Sequence, residues 1–124
     1  MSERFDPADL ALMRDEEEVE IETAASDEGP AHRAIIWVVV DDSDRVLIRS
    51  YRGPGARWYR EITARPDGVL HVRGRALPVR AVPAADAERV AACTDVLRSK
   101  YAGHTSMPVM LRQYLETTLS LRAR

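Results

Sequence analysis

The sequence predicts a mainly β domain with flanking helices (α+β), built as a small six-stranded antiparallel barrel. Three observations carry this expectation. Alternating and β-branched apolar runs fill much of residues 17–82, turn residues divide them into hairpins, and an apolar period of three and four takes over after Pro83. A chain of 124 residues has room for one domain, residues 1–124, whose core needs neither a disulfide nor a structural metal.

The amino-terminal part, about residues 6–16, reads as a helix. Asp6 stands at the N-cap and Pro7 at the first helical position, with Leu10 and Met13 among its few apolar contacts. From Glu18 to Thr23 the alternation is strict, with Val19, Ile21 and Thr23 on one face and three glutamates on the other, a half-exposed strand whose acids discourage edge pairing. Ser26 to Pro30 break the chain. Ala34 to Val40 then reads as one strand buried on both faces, and Arg45 to Ser50 returns as its antiparallel partner.

A second hairpin, Val69–Arg73 with Ala76–Val82, is expected around Gly74 and Arg75, with Pro78 at an edge or a bulge. Val90, Cys93, Leu97 and Tyr101 form one apolar stripe on a helix of about residues 84–102, ending at Gly103. Met107 to Arg112 reads as a short helix. A closing strand is expected within residues 115–121.

Composition excludes several classes. Cys93 is the one cysteine, so no intrachain disulfide forms, and the three histidines are too scattered for a zinc site. No apolar run reaches the roughly 18 residues of a membrane helix. The stretch MSERFDPADL is too acidic and polar for a signal peptide, so a cytoplasmic setting is expected. Charge is unevenly spread: residues 1–28 carry eleven acids against Arg4 and Arg14, whereas residues 29–80 carry ten arginines against five acids. Such a basic middle either solvates strand surfaces or focuses a field on an anionic ligand.

Chemistry concentrates in Arg49-Ser50-Tyr51-Arg52-Gly53-Pro54-Gly55-Ala56-Arg57-Trp58-Tyr59-Arg60, directly after a core hairpin. Arginine forks match phosphate oxygens, glycines admit a ligand to the backbone, and adjacent aromatics cover a planar ring. The alternative is a surface turn whose Trp58 plugs one end of the barrel. Side-chain alternation sets Arg49 on the Leu47 side of its strand and Ser50 on the side of Val46 and Ile48, so the two cannot line one face.

The run IIWVVVDDSDRVLIRSYRGPGARWYREI, with SKYAG and TTLSL downstream, closely resembles the bacterial family called domain of unknown function 2255, from about Glu18 to Leu121. The same order is similar to the deazaflavin-dependent nitroreductases, relatives of the FMN-binding pyridoxamine-phosphate oxidase group. That resemblance implies a six-stranded antiparallel split β-barrel and a phosphorylated cofactor, either FMN or the deazaflavin coenzyme of F-420 type. It also implies cofactor contacts at Arg33, Arg49, Ser50, Tyr51, Arg52, Gly53, Arg57, Trp58 and Tyr59, and by analogy a homodimer. The nitroreductases carry a Gly-Arg-Lys-Ser-Gly-type loop before their first core strand, where this chain has Ala24 to Ala31 and no lysine.

The function implied is hydride transfer to a small organic acceptor, with the cofactor doing the difficult chemistry. Tyr51, Tyr59 and His32 are the candidate proton donors near the site, with a structural or binding role as the favoured alternative for each. Cys93 reads as core rather than as a reactive thiol, and the catalytic residues themselves stay open. A non-catalytic binder of a phosphorylated ligand is the alternative. Nucleic acid is disfavoured as a partner because the acidic first third repels a polyanion.

Overall fold

A computed structural model of the chain describes residues 4–105 and 107–124. The opening residues of the polar amino terminus, 1–3, lie outside the described residues. Seven antiparallel strands form one curled sheet: β1 (Val19–Ala24), β2 (Ala31–Ile36), β3 (Val38–Val40), β4 (Val46–Ile48), β5 (Asp67–Val72), β6 (Arg75–Pro83) and β7 (Leu119–Ala123). Their order is β2-β1-β5-β6-β7-β4-β3, so the two strands at the ends of the sheet are consecutive in the chain.

That order explains why seven strands appear where six were expected. β2 and β3 are one run of backbone interrupted at Trp37. Before Trp37 the run pairs with β1, and after it with β4. A single run that changes partners thereby closes the sheet into a half-barrel, leaving one side of β2 unpaired. The expectation that this run is buried on both faces holds only for β3; β2 alternates, and Ile35 is 65% exposed.

Two further expectations are corrected. β1 is no edge, since it lies between β2 and β5, and two of its outward glutamates have partners on those neighbours. Arg33 of β2 stands 3.7 Å from Glu20 and 3.4 Å from Glu22, and His71 of β5 lies 2.8 Å from Glu22. β6 is likewise internal. Pro78 is accommodated because it sits one residue past the last β6–β7 pair, Val79 with Ala123, where its carbonyl accepts the Arg124 amide at 3.1 Å. The hairpin turn is Arg73-Gly74, both at positive φ (45° and 78°), one residue earlier than expected.

The core has two compartments because the strands alternate. Inside the curl, Val19, Ile21, Ile36, Val38, Ile48 and Leu70 pack under α1 (Pro7–Asp15) and α2 (Arg57–Ala64). On the outer face, Val39 and Leu47 pack against α3 (Ala87–Lys100) and α4 (Met107–Arg112) through Cys93, Leu97, Tyr101 and Met110. Cys93 is fully buried, and burial pushes its thiol up to about 11, as suits a core residue.

Lys100 ties the compartments together. Its ammonium donates to the carbonyls of Met13 and Val38, each at 2.7 Å, and burial lowers its pKa to about 8. An unfolded lysine keeps its proton to about pH 10.4. Between about 8 and 10.4 the unfolded chain therefore binds more protons, and this group's contribution to stability rises with pH. Cys93 and Tyr101, both raised by burial, act in the opposite direction. Urea denaturation of the protein and of Lys100→Met isolates the effect: the wild-type advantage is expected to grow from pH 8 to pH 10. A difference that stays flat refutes it.

Candidate functional site

The segment after β4 is held by its own backbone before it can hold anything else. The Ser50 amide donates to Thr117 Oγ1 at 3.0 Å, and its hydroxyl donates to the Gly53 carbonyl at 2.7 Å. The Gly53 amide returns to the Ser50 carbonyl at 3.2 Å, closing a turn. Gly53 is required there twice over. Its φ is +79°, and a Cβ would stand 2.7 Å from the Tyr114 ring. A short 3-10 turn, Gly53–Gly55, leads into α2, which buries Trp58, Glu61 and Ile62 at helical spacing.

Between this segment and the open side of β2 lies a cavity of about 780 Å³. β2 gives it His32, Arg33, Ala34 and Ile36, and the bend adds Trp37. Tyr51, Arg52, Arg57 and Trp58 line the opposite wall, and His104 and Met110 close one end with Arg49.

Six of the nine residues singled out from the sequence thus meet at the cavity: Arg33, Arg49, Tyr51, Arg52, Arg57 and Trp58. Ser50, Gly53 and Tyr59 are not on its wall. Ser50 and Gly53 build the turn, while Tyr59 packs edge-on against Trp58 at 5.9 Å, its hydroxyl raised by burial and by Glu116.

The arginines differ in how far they are committed. Arg49 is 2% exposed and donates to Thr118 Oγ1 (2.9 Å), Thr94 Oγ1 (3.0 Å), the Met110 carbonyl (2.7 Å) and the Val90 carbonyl (3.0 Å). It lies on the Leu47 side of β4, among α3 and α4, and Ser50 on the other side, as the alternation requires. Arg33 is shared with Glu20 and Glu22. Arg52 and Arg57 have no carboxylate within ion-pair distance among the described residues, and both are exposed.

Three contributors escaped sequence reasoning. Trp37 stacks on Tyr101 with ring centroids 3.9 Å apart and planes 3° from parallel, and His104 meets its edge at 4.6 Å. By pattern alone Trp37 is one more apolar residue of a buried strand. Glu61, 9% exposed, accepts from Thr23 Oγ1 at 2.7 Å and faces His32 Nδ1 at 3.1 Å. Burial pushes its carboxyl up, but Thr23, His32 and Arg57 outweigh this and hold it below its ordinary value.

Fold and cavity together define a small split-barrel protein with an arginine-rich, aromatic-walled cleft. The chain belongs to the family "Uncharacterized protein conserved in bacteria (DUF2255)", whose model matches residues 9–121. No curated protein matches by sequence. Among solved structures, it is similar to the heme storage protein HutZ from Vibrio cholerae (10% identity, 98% of this chain and 91% of that one, TM-score 0.67). It is also similar to a conserved hypothetical protein from Mycobacterium tuberculosis (13%, 97% and 81%, TM-score 0.66). An F-420-H2 dependent reductase is a third such structure (14%, 86% and 93%, TM-score 0.62). At these identities the likeness is one of fold.

Proposed function

We propose that the cavity binds a phosphorylated flavin-type cofactor, FMN or the deazaflavin coenzyme, and that the protein is a reductase acting on a small organic acceptor. The observation that carries this is the wall itself: Trp37, Tyr51 and Trp58 stand beside Arg52 and Arg57, two exposed cations that form no ion pair among the described residues, although Glu18 also lines the cavity. Its volume lies within the roughly 300–1,000 Å³ of small-molecule sites. When bound, the group supplies hydride transfer; everything else falls to the chain.

Arg52 and Arg57 bind the phosphate as charge-assisted forks, with Arg33 at the rim. Trp58 and Trp37 give the ring apolar walls and keep water from it, and Tyr51 covers the mouth. Arg49, Ser50 and Gly53 set the position of this wall, and Tyr59 buttresses Trp58. The fold similarity to an F-420-H2 dependent reductase agrees with this reading. A homodimer formed along the open β2 edge, where Ile35 is exposed, and a cytoplasmic setting belong to the same proposal.

The test is an absorbance and fluorescence titration with FMN and with the deazaflavin coenzyme. One of them is expected to bind in the micromolar range, and Arg52→Ala or Arg57→Ala to weaken it about tenfold or more, the loss of one charge-assisted contact. Binding of neither by the intact protein sinks the proposal.

A further inference from the structure

Thr23 and His32 are cross-strand partners on β1 and β2, and both close on one carboxylate delivered by α2. Glu61 Oε1 takes the Thr23 hydroxyl at 2.7 Å, and its two oxygens straddle His32 Nδ1 at 3.2 and 3.1 Å. Thr23 and Glu61 are both buried, so the carboxylate is held in place against β1 and β2. An ionised carboxylate only accepts, so the hydrogen of a neutral His32 resides on Nδ1 and Nε2 is left with its lone pair. His32 lines the cavity, its side chain is 29% exposed, and Nε2 has no partner among the described residues.

Mere neutralisation of a buried acid does not account for this arrangement. Arg57 lies one helical turn before Glu61 and its charge helps to keep that carboxylate ionised, yet it forms no direct ion pair with it and lines the cavity. The carboxylate is spent on a histidine whose other nitrogen remains accessible.

We propose that His32 is the proton-transfer group of the cavity, presenting Nε2 to the bound acceptor, with Glu61 and Thr23 as its positioning residues. The role rests on the reductase reading. As a hydride equivalent from a reduced flavin or deazaflavin reaches the acceptor, protonated His32 gives up its Nε2 proton. The Nε2–H bond breaks and a new bond to hydrogen forms at the acceptor atom that would otherwise carry negative charge. The imidazole is left neutral, with Nδ1–H still on Glu61, and solvent restores the proton.

Two measurements test this on the whole protein. Long-range nitrogen–proton NMR of the histidine rings is expected to show neutral His32 as the Nδ1–H tautomer, a preference lost in Glu61→Leu. Single-turnover reduction of a nitroaromatic probe is expected to slow by about 100-fold or more in His32→Gln, with cofactor affinity within about twofold of wild type. An Nε2–H tautomer in the wild type overturns the proposal without needing any variant to fold. So does cofactor binding with an unchanged His32→Gln rate, which leaves the binding reading intact. If neither cofactor binds, the reductase reading falls and this step with it, a failure recognisable because the tautomer persists.

Discussion

Arg49→Ala is expected to lose on the order of 3–5 kcal/mol of stability, seen as a lower urea midpoint with an unchanged slope. The guanidinium is buried, and four donated bonds reach two hydroxyls and two carbonyls of α3, α4 and the segment before β7. Truncation strands the buried acceptors Thr118 Oγ1 and the Met110 carbonyl and opens a void where a large fully buried side chain stood. No carboxylate accompanies the charge, so truncation leaves no unpaired anion behind; the cost comes from unmet acceptors and lost packing, offset in part by relief from burying the cation. Arg49→Lys keeps a cation but not the planar fork, and is expected to fall between the two. A loss below about 1 kcal/mol for the alanine variant would show that water serves those oxygens equally well.

The second large effect is at Gly53. Alanine there must adopt a φ of +79° and bring its Cβ to 2.7 Å from the Tyr114 ring. Left-handed backbone costs a side chain roughly 1–2 kcal/mol, and overpacking typically adds 1–3; about 2–5 kcal/mol in total is expected. The Tyr114 backbone is held, because its carbonyl takes both the Thr117 amide and hydroxyl, so relief must come from its partly exposed ring turning outward. The effect reaches the cavity as well: Tyr51 and Arg52 ride on this turn, so cofactor affinity should drop along with the melting temperature. Restored stability in Gly53→Ala combined with Tyr114→Ala, measured as a double-mutant cycle, would assign the clash component.

Much of the fold was legible because the informative signals are local. Strict alternation marked β1, Asp6-Pro7 marked the start of α1, and the stripe through Cys93, Leu97 and Tyr101 marked α3. What failed was everything that depends on partner identity. Nothing in Ala34 to Val40 announces that the run leaves one neighbour for another at Trp37, because apolar β-branched residues suit either. α2 was hidden for a related reason. Its buried face includes Glu61, and a glutamate counts as exposed in any periodicity unless its partners Thr23 and His32, about 30 to 40 positions away, are known.

The site follows the same rule. The arginine-rich segment could be found from composition, but which arginines are free could not. Arg49 and Arg52 look alike in sequence, yet one is spent on backbone oxygens and the other faces open space.

The place of β7 has a consequence for how this molecule is assembled. It pairs on one side with β4, Val46 against Leu121, and on the other with β6, Val79 against Ala123. Every other neighbouring pair but β1–β5 joins strands adjacent in sequence. The early hairpins can therefore fold locally, but two raw strand edges persist until residues 119–123 slide between them. Closing such distant loops costs entropy before any contact repays it. On a ribosome the interval is longer still, since residues 119–123 leave the exit tunnel well after both waiting edges have emerged. During that interval the half-built sheet leaves β4 and β6 each with an open edge, the point at which pairing with another chain competes with folding.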